Sequence, residues 1–328
     1  MIWSDPTLCP GTGPYEKFDG GWVQALTAYQ ASLDPTTHRP FPQGGIVIDI
    51  PDTVKIVLAG DWGTNCDPAT GPIRDLMLAE AAAYTIHVGD TYYSGSPAEN
   101  DAFAAMWPAG SMGSFNLTSN HDMYSALTGY LQTLADPKFE AQGGKLYFAL
   151  RNANWLVIGL DSASHSTDFL YKEGVLDQRQ LGWLNGLIAE DERRGVILLS
   201  HHDGFNLEAL DAEPQEPRPK GIIYKSLWSQ VTRPAGRPFR WFWGHVHAPY
   251  VASNGCRCIG HGGIPYLPFP DFYSDFGDEA VRILWAETAT AKTGNPLRAP
   301  NGFAVLRLDG PAITEQLIDE GGRAVWQA

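Results

Sequence analysis

Between Val54 and His247 the chain repeats one arrangement: a short apolar run halted by a polar residue that is able to hold a metal. VKIVLAG, YTIHVGD, SFNLTSNHD, GVILLSHH and FRWFWGHVH lead into Asp61, Asp90, Asn120 with His121, His201 with His202, and His245 with His247. Apolar runs of this length, bounded by glycine and polar residues, read as buried strands. Helical patterns stand between them. GPIRDLMLAEAAA is one, and DQRQLGWLNGLIAEDERR is another, with Leu181, Leu184, Leu187 and Ile188 on one face. Strands that alternate with helices predict βαβ units and an α/β fold with a largely parallel sheet, at least in the first half. In open α/β sheets ligands bind beyond the carboxyl ends of the strands, so these polar residues can converge from distant parts of the chain.

The flanking regions read differently. Residues 1–52 form an N-terminal extension in which WVQALTAYQASL has helical spacing and PTTHRPFPQGG breaks it. A regular domain then occupies 53–328. KLYFALRN and ANWLVIGLDS pair as a hairpin, and GFAVLRLDG and AITEQLIDEGG read as antiparallel strands. DAEPQEPRPKG, rich in proline and charge, marks an exposed insertion loop around 203–238. The net charge of −14 argues against a nucleic-acid-binding or anionic-membrane-binding face. An anionic substrate would need a local positive centre. Cys256 and Cys258 would share one face of a strand, where they read as buried or idle thiols in preference to metal ligands. The N-terminus lacks the pattern of a signal peptide and no apolar stretch has the length of a membrane span, so a soluble cytoplasmic protein is expected.

Each strand-end motif is weak alone; the ordered set is specific. Two aspartates, one asparagine and three or four histidines make a donor inventory for two first-row transition metals. Two cations about 3.5–4 Å apart can hold both the attacking and the leaving oxygen of an in-line displacement. A carboxylate between them offsets their repulsion.

GDWG, GDTYY, SNHD, SHH and GHVH resemble the successive motifs of the calcineurin-like metallophosphoesterases. That resemblance implies a four-layer α/β/β/α sandwich and hydrolysis of phosphate esters, most often phosphomonoesters, by a metal-bound hydroxide; a phosphodiesterase is the alternative at the same site, and a non-catalytic scaffold a more distant one. Most of these families open with Asp-x-His, whereas Asp61-Trp62-Gly63 has no histidine. Tyr93, three residues after Asp90, offers a phenolate in its place. Asp-x-Gly with Gly-Asp-x-x-Tyr is similar to the purple acid phosphatase branch, which implies Fe(III) with a divalent Fe, Zn or Mn ion. By that resemblance Asp61, Tyr93 and His247 bind the first metal, Asn120, His201 and His245 the second, and Asp90 bridges. His121 orients the substrate and protonates the leaving oxygen, and His202 contacts phosphate. The substrate implied is a small phosphate ester.

Ser119 stands where the family usually has glycine, which either shifts Asn120 or marks a turn that tolerates a side chain. His87 reads as a core histidine, His261 as a residue able to line the cleft, and Asp161 as a carboxylate able to orient a neighbouring ligand. Trp62 and Tyr92 read as packing residues, His38 and His165 as surface ones.

Overall fold

A computed structural model describes residues 41–62, 70–91, 94–207, 222–264, 281–291 and 299–328. Its strands are β1 (Ile46–Asp49), β2 (Thr53–Ala59), β3 (Tyr84–His87), β4 (Gly113–Asn116), β5 (Phe148–Arg151), β6 (Trp155–Gly159), β7 (Gly195–Ser200) and β8 (Phe205–Leu207). They continue as β9 (Ile222–Tyr224), β10 (Phe239–Trp243), β11 (Tyr250–Ala252), β12 (Cys256–Cys258), β13 (Ile283–Ala286), β14 (Gly302–Asp309), β15 (Ala312–Asp319) and β16 (Ala324–Gln327). The helices are α1 (Thr70–Ala79), α2 (Pro97–Met106), α3 (Asn120–Met123), α4 (Thr128–Thr133), α5 (Gln178–Glu190) and α6 (Ser226–Gln230).

Among the described residues the strands form two large sheets. One runs β1-β5-β6-β7-β10-β12-β11-β13 and the other β16-β15-β14-β2-β3-β4, with β8 and β9 pairing separately. The strands that lead to the polar residues are parallel neighbours. β2 pairs with β3 and β3 with β4 in the second sheet, and β7 pairs with β10 in the first.

Alternation along these strands explains the layers. In β2, Ile56 and Leu58 face one core and Val57 and Ala59 another. In β7, Ile197 and Leu199 face the shared core while Val196 and Leu198 face outward. A strand buried on both faces needs a continuous apolar run, which is how these segments read. The core between the sheets joins Ile56, Leu58, Ile86 and Phe115 to Leu150, Val157, Ile197, Leu199 and Phe242. Outside the six-stranded sheet lie Ile73 and Met77 of α1 and Phe103 of α2. Outside the eight-stranded sheet lie Leu184 and Ile188 of α5 and Leu227 of α6. The order is α/β/β/α, a mixed α/β sandwich.

Two boundaries differ from expectation. Regular structure starts before Val54, because β1 pairs in parallel with β5 as an edge strand, Ile46 opposite Phe148. The described end of the N-terminal extension is thus part of the sheet, while the helix expected from WVQALTAYQASL lies outside the described residues. Within 203–238, β8, β9 and α6 are regular structure, with Leu227 buried against the outer core; the proline-rich segment itself lies outside the described residues.

The sheets are also joined by charge. Glu315 of β15 takes Arg257 of β12 at 2.9 Å and Arg240 of β10 as ion-pair partners. Glu315 and Arg257 are both buried, and the Arg257 guanidinium lies 5.0 Å from the centre of the Trp326 ring. Cys256 and Cys258 are free and buried in the outer core with Trp241 and Trp243, where burial pushes both thiols well up, so they are packing residues. No helix among the described residues is long and apolar enough to cross a membrane.

Candidate metal centre

The carboxyl ends of β2, β3 and β4 face those of β7 and β10, and the loops interlock there. Asp61 N–H donates to the Gly89 carbonyl at 2.8 Å, and Gly244 N–H to the His201 carbonyl at 3.1 Å. Several contacts cross between the sheets. His201 Nδ1 lies 3.1 Å from the Val88 carbonyl, and His245 N–H meets the Asp61 carboxylate at 3.1–3.2 Å.

These contacts bring together Asp61, Asp90 and His201, whose ligand atoms all lie within 4.8 Å of one another. His201 Nε2 stands 3.3 Å from Asp90 Oδ1 and 2.8 Å from Asn120 Oδ1. His247 Nε2 stands 2.9 Å from Asp61 Oδ1 and 3.9 Å from Asp90 Oδ2. The His245 ring centre lies 5.1 Å from that of His201. Six of the seven expected ligands therefore meet at one place. Tyr93, together with Gly63 and Tyr92, lies outside the described residues.

The donor chemistry fits a cation. The Val88 carbonyl only accepts, so the ring hydrogen of His201 is on Nδ1 and Nε2 carries a lone pair. Burial pushes His201 down to about 3, which keeps the ring neutral. Asn120 is oriented as firmly: its Nδ2 donates to the Tyr124 hydroxyl at 3.4 Å, which turns Oδ1 towards the site. Lone pairs of His201, Asn120 and Asp90 thus converge with no hydrogen between them. Both Asp90 carboxylate oxygens are buried without a hydrogen-bond partner among the described residues. Such an arrangement is costly unless a positive ion occupies it.

Charge is divided unequally around this point. Burial opposes ionisation of Asp90, yet the histidines around it, the charged His247 among them, hold its carboxyl well below the usual range. Burial pushes Asp61 up to about 7 against the pull of His247. Burial also works against a charged His247, but Asp61 and Asp90 outweigh it and hold the imidazole up at about 9. His245 is driven down by burial and by its imidazole neighbours.

The backbone is strained at the same residues. Asp61, Asp90, His245 and His247 have φ of 53°, 75°, 66° and 54°. Left-handed backbone in non-glycine residues costs energy and persists where the surroundings over-determine it. Gly89, at φ +100°, has a different reason for being glycine: a Cβ there would lie 2.7 Å from His201 Nδ1. Gly89→Ala is therefore expected to displace the His201 ring and weaken metal binding by about 10–100-fold, the usual cost of a disturbed supporting contact. A competitive chelator titration measures this, and an unaltered affinity would refute the packing argument.

Several expectations acquire a definite outcome. Ser119 is the N-cap of α3 and accepts from Asp122 N–H at 3.2 Å, with extended backbone at φ −135°. The turn before Asn120 thus tolerates a side chain and uses it. His121 follows on α3, its ring 4.8 Å from that of Tyr124. His202 is held by the protein at both ring nitrogens. Its Nε2 lies 2.7 Å from the Tyr171 carbonyl and its Nδ1 2.9 Å from Ser162 Oγ, so both ring nitrogens have protein partners. An imidazole so engaged has no nitrogen left for phosphate. Asp161 touches none of the expected ligands among the described residues. It accepts from Thr118 Oγ1 at 2.5 Å and from the N–H groups of Ala163 and Ser164, bracing the segment before Asn120. His87 is a core residue, with Nδ1 2.8 Å from Asn116 Oδ1 and its ring against Phe103 and Trp107. His261 is buried where its loop seats on Asp61: Gly263 and Ile264 N–H both donate to the Asp61 carbonyl at 3.0 Å. Trp62 packs in the core, its ring centre 5.1 Å from that of Trp107.

Tyr124, Ser162 and the Val88 carbonyl were not anticipated. Tyr124 sits four residues after Asn120, a helical spacing that could have flagged it. The Val88 carbonyl leaves no trace in side-chain identity.

No protein-family model and no curated protein matches this chain. Among solved structures, PhoD is similar with a TM-score of 0.48 and 12% identity over 87% of this chain and 73% of its own. A conserved uncharacterised protein from Streptococcus pneumoniae TIGR4, described as a predicted phosphoesterase, gives 0.34 and 8% over 84% of this chain and 96% of its own. Both likenesses are distant, and the functional reading rests on the geometry of the centre.

Proposed function

We propose that this protein is a dinuclear-metal-dependent phosphoesterase that acts on phosphomonoesters. The observation that carries the reading is the meeting of Asp90, Asn120 and His201 through lone pairs, beside the Asp61–His247 pair, at the carboxyl ends of two facing sheets. Asp61, Tyr93 and His247 would hold one ion and Asn120, His201 and His245 the other, with Asp90 between them. When bound, such a pair supplies charge stabilisation and activates water at neutral pH.

The chain's own groups do the rest. His121 sits beside Asn120 on α3 and would hold the proton needed by the leaving oxygen. Asn120 is kept in place by Tyr124, and His201 by Val88. Ions held by these residues would provide the local positive centre that an acidic protein of net charge −14 needs to receive a small phosphate ester. The same overall charge disfavours nucleic acid and anionic membranes as partners.

Fe(III) with a divalent ion is the pair that suits a phenolate ligand, because the pKa of free phenol is about 10 and a strongly polarising ion is required to hold the anion. Iron-loaded protein is expected to show a visible phenolate-to-iron absorption band that Tyr93→Phe removes. A colourless iron-loaded protein would overturn the iron assignment. A panel of mono- and diesters tests the reaction itself: monoesters should turn over faster, and failure of the metal-loaded protein to hydrolyse any of them would overturn the phosphoesterase reading.

A further inference from the structure

A turn beside the centre carries an aromatic side chain that the fold leaves uncovered. At Phe169–Tyr171 the chain makes a single 3-10 turn with Leu170 and Tyr171 in left-handed backbone, φ 65° and 53°. Two consecutive non-glycine residues in this conformation need strong external support. Asp168 provides part of it, accepting from Ser166 Oγ at 2.5 Å, Lys172 N–H at 2.9 Å and Glu173 N–H at 3.2 Å. The centre itself contributes more. Tyr124 donates its hydroxyl to the Leu170 carbonyl at 3.4 Å, and His202 donates Nε2–H to the Tyr171 carbonyl at 2.7 Å.

The supporting groups place the turn next to the proposed acid. It packs against α3, which carries Asn120 and His121. The rings of His121, Tyr124 and Tyr171 follow one another with centres 4.8 and 6.4 Å apart. Leu170 is buried, whereas Phe169 is 81% exposed, more than any other large apolar residue among those described. The protein therefore holds a phenyl ring in solvent at a strained turn, within two residues of the Leu170 and Tyr171 carbonyls tied to the centre. A leaving group that takes its proton from His121 must extend from the site on the His121 side, which is where this turn stands.

Resting on the phosphoesterase reading, we propose that Phe169 and Tyr171 form the wall met by the leaving group, and that the site prefers phosphate esters of aromatic alcohols. His202 and Ser162 are then positioning residues for that wall. The Ser162 hydroxyl donates to Nδ1 of His202, which fixes the ring so that Nε2–H reaches the Tyr171 carbonyl.

Binding of benzylphosphonate and ethylphosphonate to the Mn(II)-loaded full chain, measured by calorimetry, tests this without turnover. The wild type should bind the benzyl compound about tenfold more tightly, the scale of one good aromatic contact with its buried area. Phe169→Ala should remove most of that preference and Phe169→Tyr retain it; the residue is exposed, so both variants should fold. Ser162→Ala should reduce the preference by loosening the wall. In turnover, the ratio of kcat/KM for phenyl phosphate to that for glycerol phosphate should fall by a similar factor in Phe169→Ala. Equal affinity for the two phosphonates in the wild type, or a preference that survives Phe169→Ala, would overturn the proposal while leaving the phosphoesterase reading intact. Absence of both phosphonate binding and ester hydrolysis would overturn the two together.

Discussion

Replacing Asp90 by asparagine is expected to lower kcat/KM by at least about 10³-fold, or about 4 kcal/mol of transition-state stabilisation. The reason lies in its place. Its carboxylate lies 3.3 Å from His201 and 3.9 Å from His247, and both oxygens are buried without a hydrogen-bond partner among the described residues. Asparagine keeps the shape and tolerates the left-handed backbone at φ 75° better than most residues, so the fold should survive. The charge that would offset two cations would be gone. Metal analysis after dialysis should show fewer ions per chain than in the wild type, and circular dichroism should be unaltered. Near-wild-type activity in Asp90→Asn would remove Asp90 from the bridging position.

The largest effect on stability is expected far from the centre. Glu315→Ala should destabilise the protein by about 3–5 kcal/mol, the cost of removing one partner from a buried ion pair. Arg257, 4% exposed, would remain between the sheets without its counter-charge, and Arg240 would lose the same partner. Urea unfolding measures the change. The account also predicts that Glu315→Ala combined with Arg257→Met recovers part of the loss, because the uncompensated charge is then gone. A loss below about 1 kcal/mol would mean that water reaches the triad and screens it, as it does for surface pairs.

Legibility of the sequence followed the distance over which each feature is determined. The strand-end residues could be read because each is set by a local signal, an apolar run that stops at a polar residue, and parallel pairing then aligns the stops. Asp61 and Asp90 come together because β2 and β3 are parallel neighbours, Ala59 opposite His87. The partners of His202 were not legible in SHH, because they come from Ser162 and Tyr171, a long way off in the chain. β1 was missed because four residues beside a proline- and glycine-rich stretch carry little periodicity, and its place depends on pairing with β5. Glu315 looks like a solvent-facing charge in AITEQLIDEGG. It lies opposite Leu306 on the inward face, and only Arg240 and Arg257 make that position tolerable.

The central claim is that residues from both sheets enclose a pair of metal ions. Anomalous diffraction from crystals of the metal-loaded protein tests it directly. Two peaks about 3.5–4 Å apart are expected, with Asp90 touching both and Asp61, Tyr93, Asn120, His201, His245 and His247 among their ligands. A metal-loaded crystal with no peak among these residues, or with ions bound only elsewhere, would contradict it.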